Sequence, residues 1–142
     1  MPHWNHQSSD LEIYGPTIEV KVMPARAIVE GNSAQRLPVP SFIGLALIDT
    51  GASSSAIDYS VAKKLGLISY DFQEVLTPAG STIQSVYDAT IVIPLRDDLG
   101  FDVQVFGADL ERQAFDVLIG RDILRYCTLI YSGWDNRYTL HL

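Results

Sequence analysis

The chain has 142 residues, of which 47% are hydrophobic and 19% charged. That length fits one domain and that balance can fill a core, which excludes an intrinsically disordered chain. Ten Lys and Arg against seventeen Asp and Glu leave a net charge of −7, so the chain has no basic footprint for nucleic acid or for an anionic membrane surface.

Cys127 is the single cysteine, which rules out an internal disulfide and a multi-cysteine zinc site. The longest strongly apolar stretch without a charge, Leu37–Ile48, has 12 residues and two prolines, too few to span a bilayer as a helix. Met1–Asp10 has no apolar leader region, so the expected location is cytoplasmic.

Residues 1–14 are polar and irregular and read as a flexible N-terminal arm, with a folded domain over 15–142. Ile18, Val20 and Val22 alternate with Thr17, Glu19 and Lys21, the period of a half-buried strand ended by Pro24. Residues 24–41 carry Pro24, Gly31, Asn32, Pro38 and Pro40 and read as a long connection, with a short strand at Ala27–Val29 inside it. Phe42–Ile48 is apolar on both faces and predicts a strand buried on both sides. It runs directly into Asp49-Thr50-Gly51-Ala52-Ser53. Asp58 caps a short helix through Leu65, with Gly66 as its stop.

Phe72–Leu76 and the alternating run from Ile83 to Ile93 flank Thr77-Pro78-Ala79-Gly80-Ser81, which is turn chemistry. Together they predict a hairpin. Arg96–Gly100 is a further turn, followed by a strand over Phe101–Phe106. Phe115–Gly120 reads as a buried strand, and Ile123, Leu124 and Cys127 suit one helical turn, with Cys127 a small buried hydrophobe. Strands near Thr128–Tyr131 and Tyr138–Leu142 close the chain. The sum is an all-β, mainly antiparallel domain with one or two short helices; a parallel α/β sheet would need regular alternation with long helices.

A carboxylate placed directly after an apolar strand is costly if charged and unpaired, so Asp49 must sit at an opening or meet a partner. Gly51 lets the backbone turn tightly beside it, and the small residues around it leave room for a substrate. The stretch Asp49-Thr50-Gly51-Ala52-Ser53 resembles the active-site loop of aspartic proteases. Val117-Leu118-Ile119-Gly120-Arg121-Asp122 resembles the apolar strand and following helix of their retropepsin-like, retroviral-type branch, and the hairpin between the two motifs lies where that branch carries its flap. The resemblance covers roughly residues 17–142.

Several expectations follow from that resemblance. The fold is an acid protease barrel with one half-site per chain. Asp49-Thr50-Gly51 occurs once and no other Asp is followed by Thr-Gly or Ser-Gly, so the second carboxylate comes from a second copy in a two-fold homodimer. The activity is hydrolysis of peptide bonds in a peptide or protein substrate, with no metal and no cofactor. Thr50 bonds across the two-fold axis and the Gly51 backbone accepts a hydrogen bond from substrate. Ala52, Ser53, Pro78, Ala79, Gly80 and Ser81 contact substrate, and Ile119, Gly120, Arg121 and Asp122 support the loop. The terminal strands near Ile13–Val22 and Tyr138–Leu142 are where such dimers interleave. Ser53 stands where retroviral enzymes often have an acidic partner for the helix arginine, so Arg121 needs another partner.

Other readings of the same residues are weaker. Ser53, Ser54 and Ser55 lack a base, because His3, His6 and His141 lie at the chain ends. His3 and His6 on an arm do not hold metal geometry. No Gly-Lys-Ser/Thr loop accompanies Asp49 for phosphoryl transfer. Two alternatives keep the family fold: a non-catalytic peptide-binding or dimerisation module, and an inactive precursor activated by trimming residues 1–14.

Overall fold

The computed structural model describes residues 3–94 and 99–142. In chain order the elements are β1 (His3–Gln7), α1 (Leu11–Tyr14), β2 (Thr17–Pro24), α2 (Arg26–Ala34), β3 (Phe42–Ile48), β4 (Ala56–Asp58) and α3 (Tyr59–Lys64). They continue with β5 (Asp71–Thr77), β6 (Gly80–Val92), β7 (Gly100–Ala108), β8 (Val117–Ile119), α4 (Arg121–Leu124), β9 (Thr128–Ser132) and β10 (Arg137–His141). The domain is mostly strands with a few short helices.

Among the described residues the strands form two sheets. One is seven-stranded in the order β2-β3-β8-β4-β7-β6-β5, and β2 also pairs with β6, which closes the sheet on itself. Most pairings are antiparallel; β3–β8 and β4–β7 are parallel. The other sheet is three-stranded, in the order β1-β10-β9.

The core lies inside the closed sheet. Ile18, Val20 and Val22 of β2, Ala46 and Ile48 of β3, and Ile91, Val105, Val117 and Ile119 are all buried in it. Each fully buried Val or Ile contributes about 1.5–3 kcal/mol. In β2 the burial alternates as its sequence period predicts.

The Asp58 carboxylate caps α3 by accepting from the Ser60 N–H at 3.0 Å, and Gly66 follows with a positive φ of 65°. The hairpin forms as expected from β5 and β6, with Thr77 opposite Gly80. Among the described residues no helix is long and apolar enough to cross a membrane.

Four features differ from the sequence reading. Residues 3–14 are not irregular. β1 pairs with β10 from His3↔His141 to Gln7↔Arg137, Trp4 packs toward the core, and Asp10 caps α1, whose Leu11 is fully buried. The partner strand lies at the opposite end of the chain, where local pattern cannot see it. Residues 24–41 contain α2, not a strand at Ala27–Val29. Arg26, Ala27, Glu30 and Ala34 favour helix, although Gly31, Asn32 and Ser33 inside α2 carry the composition of a loop and none of its residues is buried. β3 is not buried on both faces: Ala46 and Ile48 are buried, whereas Ile43 is exposed. Helices do not cover its second face as they do in a parallel α/β sheet. Finally, Tyr138–Leu142 is not free to interleave with another chain, since β10 is filled by β1 on one side and β9 on the other. β2 pairs with β3 over Thr17–Val22 and with β6 only over Lys21–Pro24, so its first half keeps one side without a partner strand among the described residues. Residues 96–98 of the turn read at Arg96–Gly100 lie outside the described residues.

Candidate active site

β3 delivers Asp49 to the end of a strand held on both sides. It pairs antiparallel with β2 and parallel with β8, down to Ile48 opposite Ile119. The Ile48 N–H donates to the Pro16 carbonyl at 2.8 Å and the Asp49 N–H to the Ile119 carbonyl at 2.9 Å. The chain then turns. The Ala52 N–H reaches back to the Asp49 carbonyl at 3.3 Å, and the Gly51 N–H donates to Asp49 Oδ1 at 2.9 Å. That bond orients the carboxylate from within its own loop. Asp49 is partly exposed, and none of the ion pairs among the described residues involves it. The group is thus fixed in direction and open to a ligand.

The loop is bolted to the segment after β8. The Arg121 N–H donates to the Ala52 carbonyl at 2.8 Å, and its guanidinium Nη1 donates to the Thr50 carbonyl at 2.8 Å. This is the partner that Arg121 takes in the absence of an acid at position 53. Asp122 holds the far end of the loop: its carboxylate accepts from the Ser55 N–H at 2.9 Å and from the Ser55 hydroxyl at 2.8 Å. The Ser55 oxygen in turn accepts from the Gly120 N–H at 3.0 Å. Gly120 is required by space. A Cβ there would lie 2.6 Å from the Ser54 carbonyl carbon and 2.7 Å from its oxygen, closer than real contacts allow.

The residues singled out in sequence therefore fall into two groups. Asp49, Thr50, Gly51, Ala52 and Ser53 form the loop, and Ile119, Gly120, Arg121 and Asp122 pack directly against it. Pro78, Ala79, Gly80 and Ser81 sit apart at the β5–β6 tip, where Thr77 Oγ1 donates to the Gly80 carbonyl at 2.7 Å. The hairpin presents exposed Phe72, Leu76 and Ile83. By strand alternation and the Glu74↔Ile83 and Leu76↔Ser81 register, these three share one face. The residue missed in sequence is Ser55 as a buried link. Its signal was an Asp at a helix start facing a buried serine, but the two lie 67 positions apart.

Beside the loop is an open cavity of about 340 Å³ lined by Thr50, Arg121, Leu124, Arg125, Cys127 and Leu129. Burial pushes the half-buried Cys127 thiol above its ordinary pKa, so it is protonated at neutral pH. Among the described residues no group of three or more His, Cys, Asp or Glu side chains is placed to hold a metal ion.

No protein-family model and no curated protein matches the chain in sequence. In structure the chain is similar to the Simian Foamy Virus (mac) protease, with a TM-score of 0.49 and 14% identity over 78% of this chain and 93% of that one. It is also similar to a retropepsin-like aspartic protease from Rickettsia conorii, with a TM-score of 0.45 and 18% identity over 88% of this chain and 90% of that one.

Proposed function

We propose that the chain is an aspartic endopeptidase of the retropepsin-like kind, active as a homodimer in which each copy supplies one Asp49. The observation that carries this reading is the state of Asp49. It is a carboxylate on the end of a core strand, oriented by the Gly51 N–H and in none of the ion pairs among the described residues, while the Arg121 guanidinium donates to the Thr50 carbonyl. Asp58 and Asp122, by contrast, use both carboxylate oxygens on hydrogen bonds from neighbouring segments.

In aspartic proteases generally, two carboxylates about 3 Å apart cannot both ionise, so the pair holds one proton. The ionised Asp49 takes a proton from a water whose oxygen attacks the scissile carbonyl carbon. The protonated one donates to the carbonyl oxygen. Collapse of that intermediate breaks the C–N bond, and a proton passes to the leaving nitrogen. Dyads of this kind in aspartic proteases titrate as a unit, so cleavage is sought at acidic to mildly acidic pH.

In this reading Thr50 and Gly51 position the dyad, with Ala52 and Ser53 beside the substrate. The β5–β6 tip at Pro78, Ala79, Gly80 and Ser81 closes over an extended peptide added as a strand. Apolar Phe72, Leu76 and Ile83, exposed on one face of the hairpin, suit that use.

The test is cleavage of a mixed peptide library at acidic pH by wild type and by Asp49→Asn. Cleavage by wild type alone is expected, with the variant's melting temperature little changed. Library peptides bound but left uncut by wild type would favour the non-catalytic module instead.

A further inference from the structure

The hairpin leaves the barrel beside the Asp49 loop. Val86 of β6 lies opposite Phe106 of β7, Phe106 lies opposite Ala56 of β4, and the Phe106 N–H donates to the Ser55 carbonyl at 3.1 Å. β6 therefore parts from β7 level with the end of the loop, and from Val86 back to Gly80 it pairs with β5.

Strand alternation carries the interior of the barrel onto one face of this hairpin. Tyr87, Ala89 and Ile91 of β6 fill the core together with Ala46 and Ile48 of β3, the strand that ends at Asp49. Ile83 and Ser85 stand on the same face of β6. The register sets Phe72, Glu74 and Leu76 of β5 beside them, opposite Ser85, Ile83 and Ser81. On that face Glu74 alone is charged. It is exposed and takes part in neither of the ion pairs among the described residues. It lines an open cavity of about 570 Å³ with Phe72, Ser81, Thr82 and Ile83. Asp71, the other acid of β5 before it, stands on the opposite face, where its carboxylate accepts from the Phe72 N–H at 2.8 Å.

We infer that Glu74 is a specificity-determining residue, selecting one lysine or arginine side chain in a substrate segment that is otherwise apolar. The inference rests on the peptide site proposed above and names the class of peptide it takes. A strand laid along the inner face of the hairpin turns alternate side chains toward it. Apolar ones suit Phe72, Leu76 and Ile83, and one position meets the Glu74 carboxylate. An apolar side chain there strips water from the acid and returns no hydrogen bond, which is costly. An acidic one is repelled. A basic one gives a charge-assisted hydrogen bond, and its methylene stem packs along Phe72 and Ile83. Selection therefore works both by attraction and by rejection.

The test uses the full chain and peptides that it cuts or binds from the mixed library. Each is remade with Lys, Gln, Leu or Glu in turn at every position, and kcat/KM is measured at pH ~6, above the ordinary range of glutamate. At one position wild type is expected to favour Lys over Leu by about tenfold. Glu74→Gln is expected to lose that preference, and Glu74→Lys to favour Glu at the same position. The readout is the ratio between peptides, which a fold loosened by the substitution would not reverse. Binding of the same panel to Asp49→Asn and to Asp49→Asn/Glu74→Lys, followed by fluorescence anisotropy, reads the preference without cleavage.

A wild type with no position that favours Lys, or a preference identical in Glu74→Lys, overturns the inference. Peptides bound with a preference that follows Glu74 but never cut would leave it standing and refute the hydrolase reading. Cleavage with a preference indifferent to Glu74 would do the reverse, and a chain that neither cuts nor binds any peptide would overturn both.

Discussion

Removing the Asp122 carboxylate probes how the Asp49 loop is held. Asp122 accepts from the Ser55 N–H, from the Ser55 hydroxyl and from the Ile123 N–H. In Asp122→Ala the Ile123 N–H retains a bond to the Gly120 carbonyl at 3.2 Å, so it is not orphaned. The two Ser55 donors are, and Ser55 is fully buried. An orphaned buried donor costs about 1–3 kcal/mol. Two of them, with some entry of water, bring the loss to about 2–4 kcal/mol. For a chain of this size that lowers the melting temperature by about 5–15 °C.

Thermal melts followed by circular dichroism measure the effect directly. Asp122→Asn recovers only part of it, since one acceptor oxygen becomes a donor facing donors. A double-mutant cycle with Ser55→Ala isolates the pair. Melting of Asp122→Ala within about 1 °C of wild type, or additivity in the cycle within about 0.5 kcal/mol, would refute this account of the loop.

Gly120→Ala drives a Cβ into the Ser54 backbone and is expected to lose about 1–3 kcal/mol in urea unfolding; a variant as stable as wild type would show that the loop can shift aside. Burial pushes the Asp58 carboxyl up, but hydrogen bonds from the Ser60 hydroxyl, the Leu110 N–H and the Ser60 N–H, with the Lys64 charge, hold it below its ordinary pKa. Its stabilising effect is therefore complete above the unfolded value of about 3.9 and lost as pH falls through the folded one. The stability gap between wild type and Asp58→Asn should be widest at neutral pH and close below pH ~3.9; a gap independent of pH would contradict the assignment. The raised pKa of Cys127 predicts alkylation by iodoacetamide at pH ~8 slower than that of free glutathione, measured by mass spectrometry; faster reaction would show an accessible thiolate.

Much of this fold is written in local pattern. β2 shows its period of two, the Pro78–Gly80 tip announces the β5–β6 hairpin, and Asp58 with Gly66 brackets α3. The Asp49 loop was readable as a carboxylate directly after an apolar strand, and the Ile119–Asp122 segment through its resemblance to the retropepsin-like pattern.

What joins the two segments was not readable. Arg121 uses a backbone carbonyl, which leaves no mark in the side-chain sequence, and Ser55 and Asp122 meet only through the parallel β3–β8 pairing and the β4–β8 contact. β1 was hidden for the same reason: its partner strand begins at Arg137. α2 was hidden for another: Gly31, Asn32 and Ser33 within it, and Pro24 and Pro38 around it, carry the composition of a loop.

The central claim is that two copies of Asp49 act together, and mixing tests it most directly. Wild type and Asp49→Asn are unfolded together, refolded at a concentration where dimers dominate, and assayed for peptide cleavage. If both carboxylates are required, activity follows the square of the wild-type fraction, and an equal mixture retains about one quarter of it. Activity that falls only in proportion to wild-type content would mean that one Asp49 suffices, and the shared-site account would be wrong.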